Sequence, residues 1–199
     1  MKRGLAGMLA LLAVLLTNPL QAQSVTTHGF GDGDADPIRT RYLLIGPQGG
    51  AVTDEDFRGR FQLITFGYTA CPDVCPTTLV ELAEVLRLLG DDATGLQGIF
   101  ITVDPARDTP QALATYTAFF DARILGLGGT PELIQRVTAN FKVRYAKVPS
   151  ATGDADFYAV DHSAGLYLLG PDGTFIKKYG YGTPAAQIAG EIRELLARG

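Results

Sequence analysis

The stretch Phe61-Gln-Leu-Ile-Thr-Phe66-Gly-Tyr-Thr-Ala-Cys71-Pro-Asp-Val-Cys75-Pro-Thr-Thr-Leu79 decides how this chain is read. Phe61–Phe66 is an apolar run of strand length, as a buried strand requires. Pro76 then opens a helix to about Leu89, with Leu79, Leu82, Val85, Leu86 and Leu89 on one face. Thr78 and Glu81 have capping-box spacing, and Gly90 ends the helix. Between strand and helix lie the chain's only two cysteines, with three residues between them. A residue before proline avoids helical angles, which puts Cys75 at the helix entry and Cys71 in the loop before it. At the positive end of a helix dipole a thiolate is favoured, with Asp73 working slightly the other way.

The same alternation continues outward. Arg41–Ile45 reads as a short strand, and Gln97–Val103 as the strand that completes a strand–helix–strand unit, with a right-handed parallel crossover. Thr109-Pro110 and Thr130-Pro131 each supply an N-cap followed by a first-turn proline, for helices to about Phe120 and Asn140. Lys142–Val148 has strand character. Leu166–Leu169, the turn Gly170-Pro-Asp-Gly173 and Thr174–Tyr179 form a hairpin, and Pro184–Ala197 a closing helix. These elements predict an α/β protein with the thioredoxin-like layout: a central mixed sheet flanked by helices, with a C-terminal β-hairpin and helix.

The chain has 199 residues, 46% of them hydrophobic, which suits one globular domain. Lys2 and Arg3, the apolar run Gly4–Leu16 and the break at Asn18-Pro19 read as a signal peptide over residues 1–22; the alternative is an uncleaved N-terminal anchor. The run is short of the roughly 20 residues a spanning helix needs. Residues 23–38 read as a flexible acidic linker and 39–199 as the folded domain. Asp32, Asp34 and Asp36 have the spacing that starts a calcium loop, but Pro37 and Leu43 stand where that loop needs Gly and Glu. His28, in this linker, reads as a solvated side chain.

Without Lys2 and Arg3, 15 basic residues face 21 acidic ones, a net charge of −6. That argues against nucleic acid and against anionic membrane surfaces, leaving membrane contact only through an uncleaved N-terminus. Export predicts a periplasmic location, possible anchorage to the inner membrane, and a setting where the thiol pair oxidises to a disulfide unless a periplasmic thiol reductant acts on it.

A structural disulfide closing so short a loop contributes only about 2 kcal/mol. Thioredoxin-type oxidoreductases have two intervening residues and a cis-proline before the facing strand; here there are three, and Tyr158-Ala-Val-Asp-His-Ser-Ala164 holds no proline. Peroxidases of this fold place threonine three residues before the reactive cysteine, where this chain has Tyr68; Thr69 is one out of register. His162 occupies the segment without the proline. Two thiolates and an imidazole suit copper, Cu(I) by the thiolates and Cu(II) by the mixed set. A histidine satisfied at a strand edge is the plainer reading.

Three motifs together strongly resemble the Sco/SenC family of copper-binding proteins: Phe66–Leu79, Thr102-Val-Asp-Pro-Ala-Arg-Asp-Thr-Pro110, and Phe157-Tyr-Ala-Val-Asp-His-Ser163 followed by Leu166–Phe175. Their order and spacing agree over roughly residues 40–198. The resemblance implies a thioredoxin fold and copper bound through Cys71, Cys75 and His162. It implies a metallochaperone for the dinuclear copper centre of cytochrome c oxidase subunit II or another copper-site protein. A thiol-disulfide reductase that keeps that centre's cysteines reduced is the enzymatic alternative, with Cys71 and Cys75 catalytic. Asp73, Asp104 and Asp161 are candidates to support the ligands from behind. For Asp104 the plainer reading is a turn cap with an Arg107–Asp108 ion pair beside it. Tyr68, Phe157 and Tyr158 read as rim or core aromatics.

Overall fold

The computed structural model describes residues 37–149 and 158–198. The signal peptide or anchor, the linker up to Asp36, His28 and Phe157 lie outside them.

Five strands build the main sheet. In chain order they are β3 (Phe61–Gly67), β4 (Leu96–Thr102), β5 (Ile124–Leu127), β8 (Leu166–Leu169) and β9 (Phe175–Tyr179). Their spatial order is β5-β4-β3-β8-β9. β3, β4 and β5 run parallel, whereas β8 lies antiparallel to both β3 and β9. All seven residues of β3 are buried, as a central strand covered on both faces demands. This is the thioredoxin-like architecture expected from the sequence.

Helix α1 (Val74–Leu89) buries the predicted stripe Leu79, Leu82, Val85, Leu86 and Leu89, each such side chain contributing about 1.5–3 kcal/mol relative to exposure. It packs beside α4 (Ala185–Leu196), which buries Ile188, Ala189 and Ile192. Helices α2 (Pro110–Phe120) and α3 (Pro131–Asn140) start where predicted: Thr109 and Thr130 accept from the backbone N–H of Ala112 and Leu133, with proline next in each. Phe66, Phe141 and Tyr167 meet edge-on or tilted at 5.5–5.7 Å beneath the sheet centre.

Two strand pairs stand apart from the main sheet. β1 (Leu43–Ile45) pairs with β2 (Ala51–Thr53), and β6 (Tyr145–Pro149) with β7 (Tyr158–His162), both antiparallel. Strands β2, β5 and β7 were not among the elements read from the sequence. β2 and β5 are only three and four residues long, too short for a period to register. In β7 the polar Asp161 and His162 mask an alternation that is present: Tyr158, Val160 and His162 share one face.

The first turn of α1 differs from the expected cap. The helix begins at Val74, so Cys75 and Pro76 are already helical, and Asp73 is the N-cap residue without a side-chain cap bond. A first-turn proline loses no intrahelical hydrogen bond, which offsets the usual bias before proline. Thr78 is therefore not a cap; its hydroxyl donates to the Val74 carbonyl at 2.9 Å.

Candidate metal centre

The buried end of β3 delivers the loop that carries Cys71, and α1 carries Cys75 in its first turn. Both cysteines are free thiols, Cys71 half-buried and Cys75 only 2% exposed. Gly67 makes room for the second: a Cβ there would stand 2.6 Å from Cys75 Sγ and 2.8 Å from the Phe100 ring. The glycine is required by close approach, not by its backbone angles.

The helix start favours thiolate, yet at Cys75 burial dominates and pushes the thiol up, reinforced by the adjacent Cys71; the Tyr68 backbone acts in the opposite sense. The expectation of an acidified pair is thus reversed at Cys75. A few tenths of an elementary charge at a helix end do not offset removal from water.

His162 ends β7, opposite Tyr145 in β6. Its Nε2 lies 3.3 Å from Cys75 Sγ, and its Nδ1 lies 3.0 Å from the Val160 carbonyl. A carbonyl only accepts, so Nδ1 carries the proton and Nε2 presents its lone pair to the thiol. That tautomer is the one a metal-binding Nε2 needs, and the carbonyl is the usual kind of orienting partner. The Tyr68 ring meets the imidazole edge-on at 5.9 Å. The chain thus brings Cys75 and His162, 87 residues apart, into contact. Cys71 is near enough to Cys75 to reinforce the rise of its thiol. Among the described residues no three His, Cys, Asp or Glu side chains stand in a finished ligand set. The thiols and imidazole suit copper by chemistry.

The three aspartates divide. Asp73 and Asp161 are exposed. Asp104 is completely buried, and both its oxygens are engaged: Tyr158 Oη donates to Oδ1 at 2.8 Å and Arg107 Nε donates to Oδ2. The expected Arg107–Asp108 pair is replaced by Arg107–Asp104. The backbone N–H groups of Arg107 and Asp108 both donate to the Asp104 carbonyl, and this tight turn brings the guanidinium back onto Asp104.

Two residues were not singled out as site candidates in the sequence. Asp108 is buried and accepts from Thr69 N–H (3.1 Å), Thr69 Oγ1 (2.5 Å) and Thr102 Oγ1 (2.6 Å), clamping the cysteine loop to the end of β4. Its place in an Arg-Asp-Thr-Pro helix start resembles an ordinary cap, which hides the role. Tyr116 meets Phe100 at a tilt, 5.7 Å between ring centres, with a buried hydroxyl that has no hydrogen-bond partner among the described residues, and burial pushes that hydroxyl up, with Cys75 and Cys71 as its next electrostatic neighbours. Nothing local in α2 marks it.

The family SCO1/SenC matches residues 31–197 of this chain. The chain belongs to the SCO1/SenC family. Among its relatives, the mitochondrial protein SCO2 homolog of Mus musculus is 42% identical over 179 residues, covering 89% of this chain and 67% of that protein. Protein sco1 of Schizosaccharomyces pombe is 38% identical over 152 residues, covering 76% and 58%. The chain therefore spans about two thirds or less of the length of these relatives. Among solved structures, copper-bound ScoI of Arabidopsis thaliana superposes with a TM-score of 0.75 at 32% identity, covering 82% of this chain and all of that one. Copper-bound ScoI of Bradyrhizobium japonicum gives 0.72 at 41% identity, covering 79% and 99%. These SCO1/SenC structures share the thioredoxin-like fold described above.

Proposed function

We propose that this chain is a periplasmic copper metallochaperone that binds its cargo through Cys71, Cys75 and His162 and serves assembly of the dinuclear copper centre of cytochrome c oxidase. The observation that carries the reading is the 3.3 Å contact between Cys75 Sγ and His162 Nε2, with Nδ1 tied to Val160 so that the lone pair faces the thiol. Copper-bound relatives of the same fold support it. Loading displaces the thiol protons, leaving two thiolates and a neutral imidazole as donors. Oxidation of the pair to a disulfide removes both thiolates and with them the site, so loading requires a reductant. An exported location, with cleavage or retention of residues 1–22, belongs to the same proposal.

The test is titration of the reduced protein with Cu(II), following sulfur-to-copper charge-transfer absorption. Replacement of His162 by Ala should weaken binding and alter the spectrum. Unchanged affinity and spectrum would remove His162 from the site.

The difference in burial between the thiols favours a second reading, a thiol-disulfide reductase acting on the cysteines of the same copper centre. The half-buried Cys71 thiolate attacks the partner's disulfide, forming a mixed disulfide and releasing one partner thiolate. Cys75 then attacks the Cys71 sulfur, closing the Cys71–Cys75 disulfide and releasing the second. The partner gains two electrons and this chain loses them. Disulfide reduction that persists without copper and in His162→Ala separates this reading from the first.

A further inference from the structure

His162 lies outside the main sheet. Among the described residues its strand pairs only with β6, a strand exposed along its whole length, and the two form a sheet of their own. Val160 anchors β7 in the core, with Tyr158 packed against it, and a polar cluster around Asp104 fixes the strand's placement. Tyr158 Oη donates to Asp104 Oδ1 at 2.8 Å. Arg107 is bound to Oδ2, donates from Nη1 to the Tyr158 carbonyl at 3.1 Å, and stacks 3.8 Å from the centre of the Tyr158 ring. The same guanidinium lies 5.4 Å from the Tyr68 ring, and Tyr68 Oη accepts the Val160 N–H at 3.2 Å. Val160 in turn holds His162 Nδ1. The chain of contacts runs unbroken from a buried carboxylate at the end of β4 to the imidazole.

We infer that Asp104 is the positioning residue of His162: through Tyr158 and Arg107 it fixes the placement of β7, and so keeps Nε2 aimed at Cys75. Asp104 is no copper donor, because both its oxygens are spent on Tyr158 and Arg107. The inference rests on the proposed role of His162 in binding copper, but its first readout does not involve copper.

The experiment compares wild type, Asp104→Asn and Tyr158→Phe. In the reduced, metal-free protein at pH 8, the side-chain nitrogen chemical shifts of His162 should report one Nδ1–H tautomer in the wild type. Both variants should show a mixed or shifted tautomer, smaller in Tyr158→Phe, which loses a single hydroxyl and keeps its ring. Copper affinity should fall about 10–100-fold in Asp104→Asn, as for loss of an outer partner of a metal ligand. In the background of His162→Ala, Asp104→Asn should cause no further loss. Additive losses in the double variant, or unaltered His162 signals in both single variants, would overturn the inference. If copper affinity ignores His162→Ala, the three-donor reading fails, while the metal-free shifts still decide whether Asp104 positions the ring.

Discussion

The two halves of the candidate site are held by different forces. Cys75 sits where a fully buried strand meets a helix, against Phe100 and over Gly67, and its place is fixed by close packing. His162 sits on a two-stranded sheet whose outer strand is wholly exposed; Val160 alone of its strand enters the core, and polar contacts to Asp104, Arg107 and Tyr68 set the rest of its placement. Packed cores tolerate little displacement, whereas a polar tether can be loosened one bond at a time. The half of the site on the sheet is therefore the fixed reference, and the histidine half is the one that can be tuned or released. Under the proposed function, handover of copper requires the donors to let go in turn, and the tethered histidine and half-buried Cys71 are the ones placed to do so.

The sharpest way to test the comparison is to remove the fixed donor. Cys75→Ser should lower copper affinity by more than about 100-fold, exceeding the range expected for outer contacts, in a competition titration with a chelator. A loss no greater than that of Asp104→Asn would mean the two halves contribute alike. Next comes Gly67→Ala, which forces a methyl group against Cys75 Sγ and the Phe100 ring. It should destabilise the metal-free protein by about 1–3 kcal/mol in urea unfolding, the usual cost of overpacking. His162→Ala, made on the tethered side, should cost less stability than this; equal losses would erase the distinction.

Acidity gives a smaller effect of definite sign. Burial raises the Cys75 thiol in the folded chain, so above the ordinary thiol value of about 8.5 the unfolded chain loses a proton that the folded chain retains. The folded state then binds more protons, and stability falls as pH rises through this range and beyond. Cys75→Ala should flatten that alkaline decline, measured as unfolding free energy between pH 7 and 10. Smallest of all, Asp73→Asn and Asp161→Asn, at exposed positions, should change stability by less than about 0.5 kcal/mol.

Much of the fold was legible because its signals are local. Thr-Pro starts, the Gly90 stop, the apolar stripe of α1 and the Gly-Pro-Asp-Gly turn each act within a few residues. β2 and β5 were not legible because they are shorter than any readable period, and β7 because its polar end breaks the pattern. At the site, Cys71 and Cys75 were nameable by chemistry and spacing, and His162 chiefly through the family resemblance. Asp108 and Tyr116 were not, because their partners Thr69, Thr102 and the cysteines lie far along the chain or on other elements. The pairing of Arg107 was misread for a related reason: sequence neighbours suggested Asp108, and the turn closed on the Asp104 carbonyl selected Asp104 instead.

By itself the sequence determined the order of the longer elements, the thioredoxin-like layout, the helix starting at the thiol pair and which residues are candidate donors, since propensity, capping and donor chemistry reside in individual residues and their near neighbours. The tertiary structure decided what those donors are like: that Cys75 is buried and kept protonated, that His162 turns Nε2 toward it, and that Asp104 holds a strand instead of binding a ligand. Burial and contact across 87 residues are properties of the packed chain. They arise only when β3, α1 and β7 close on one another and water leaves the space between them.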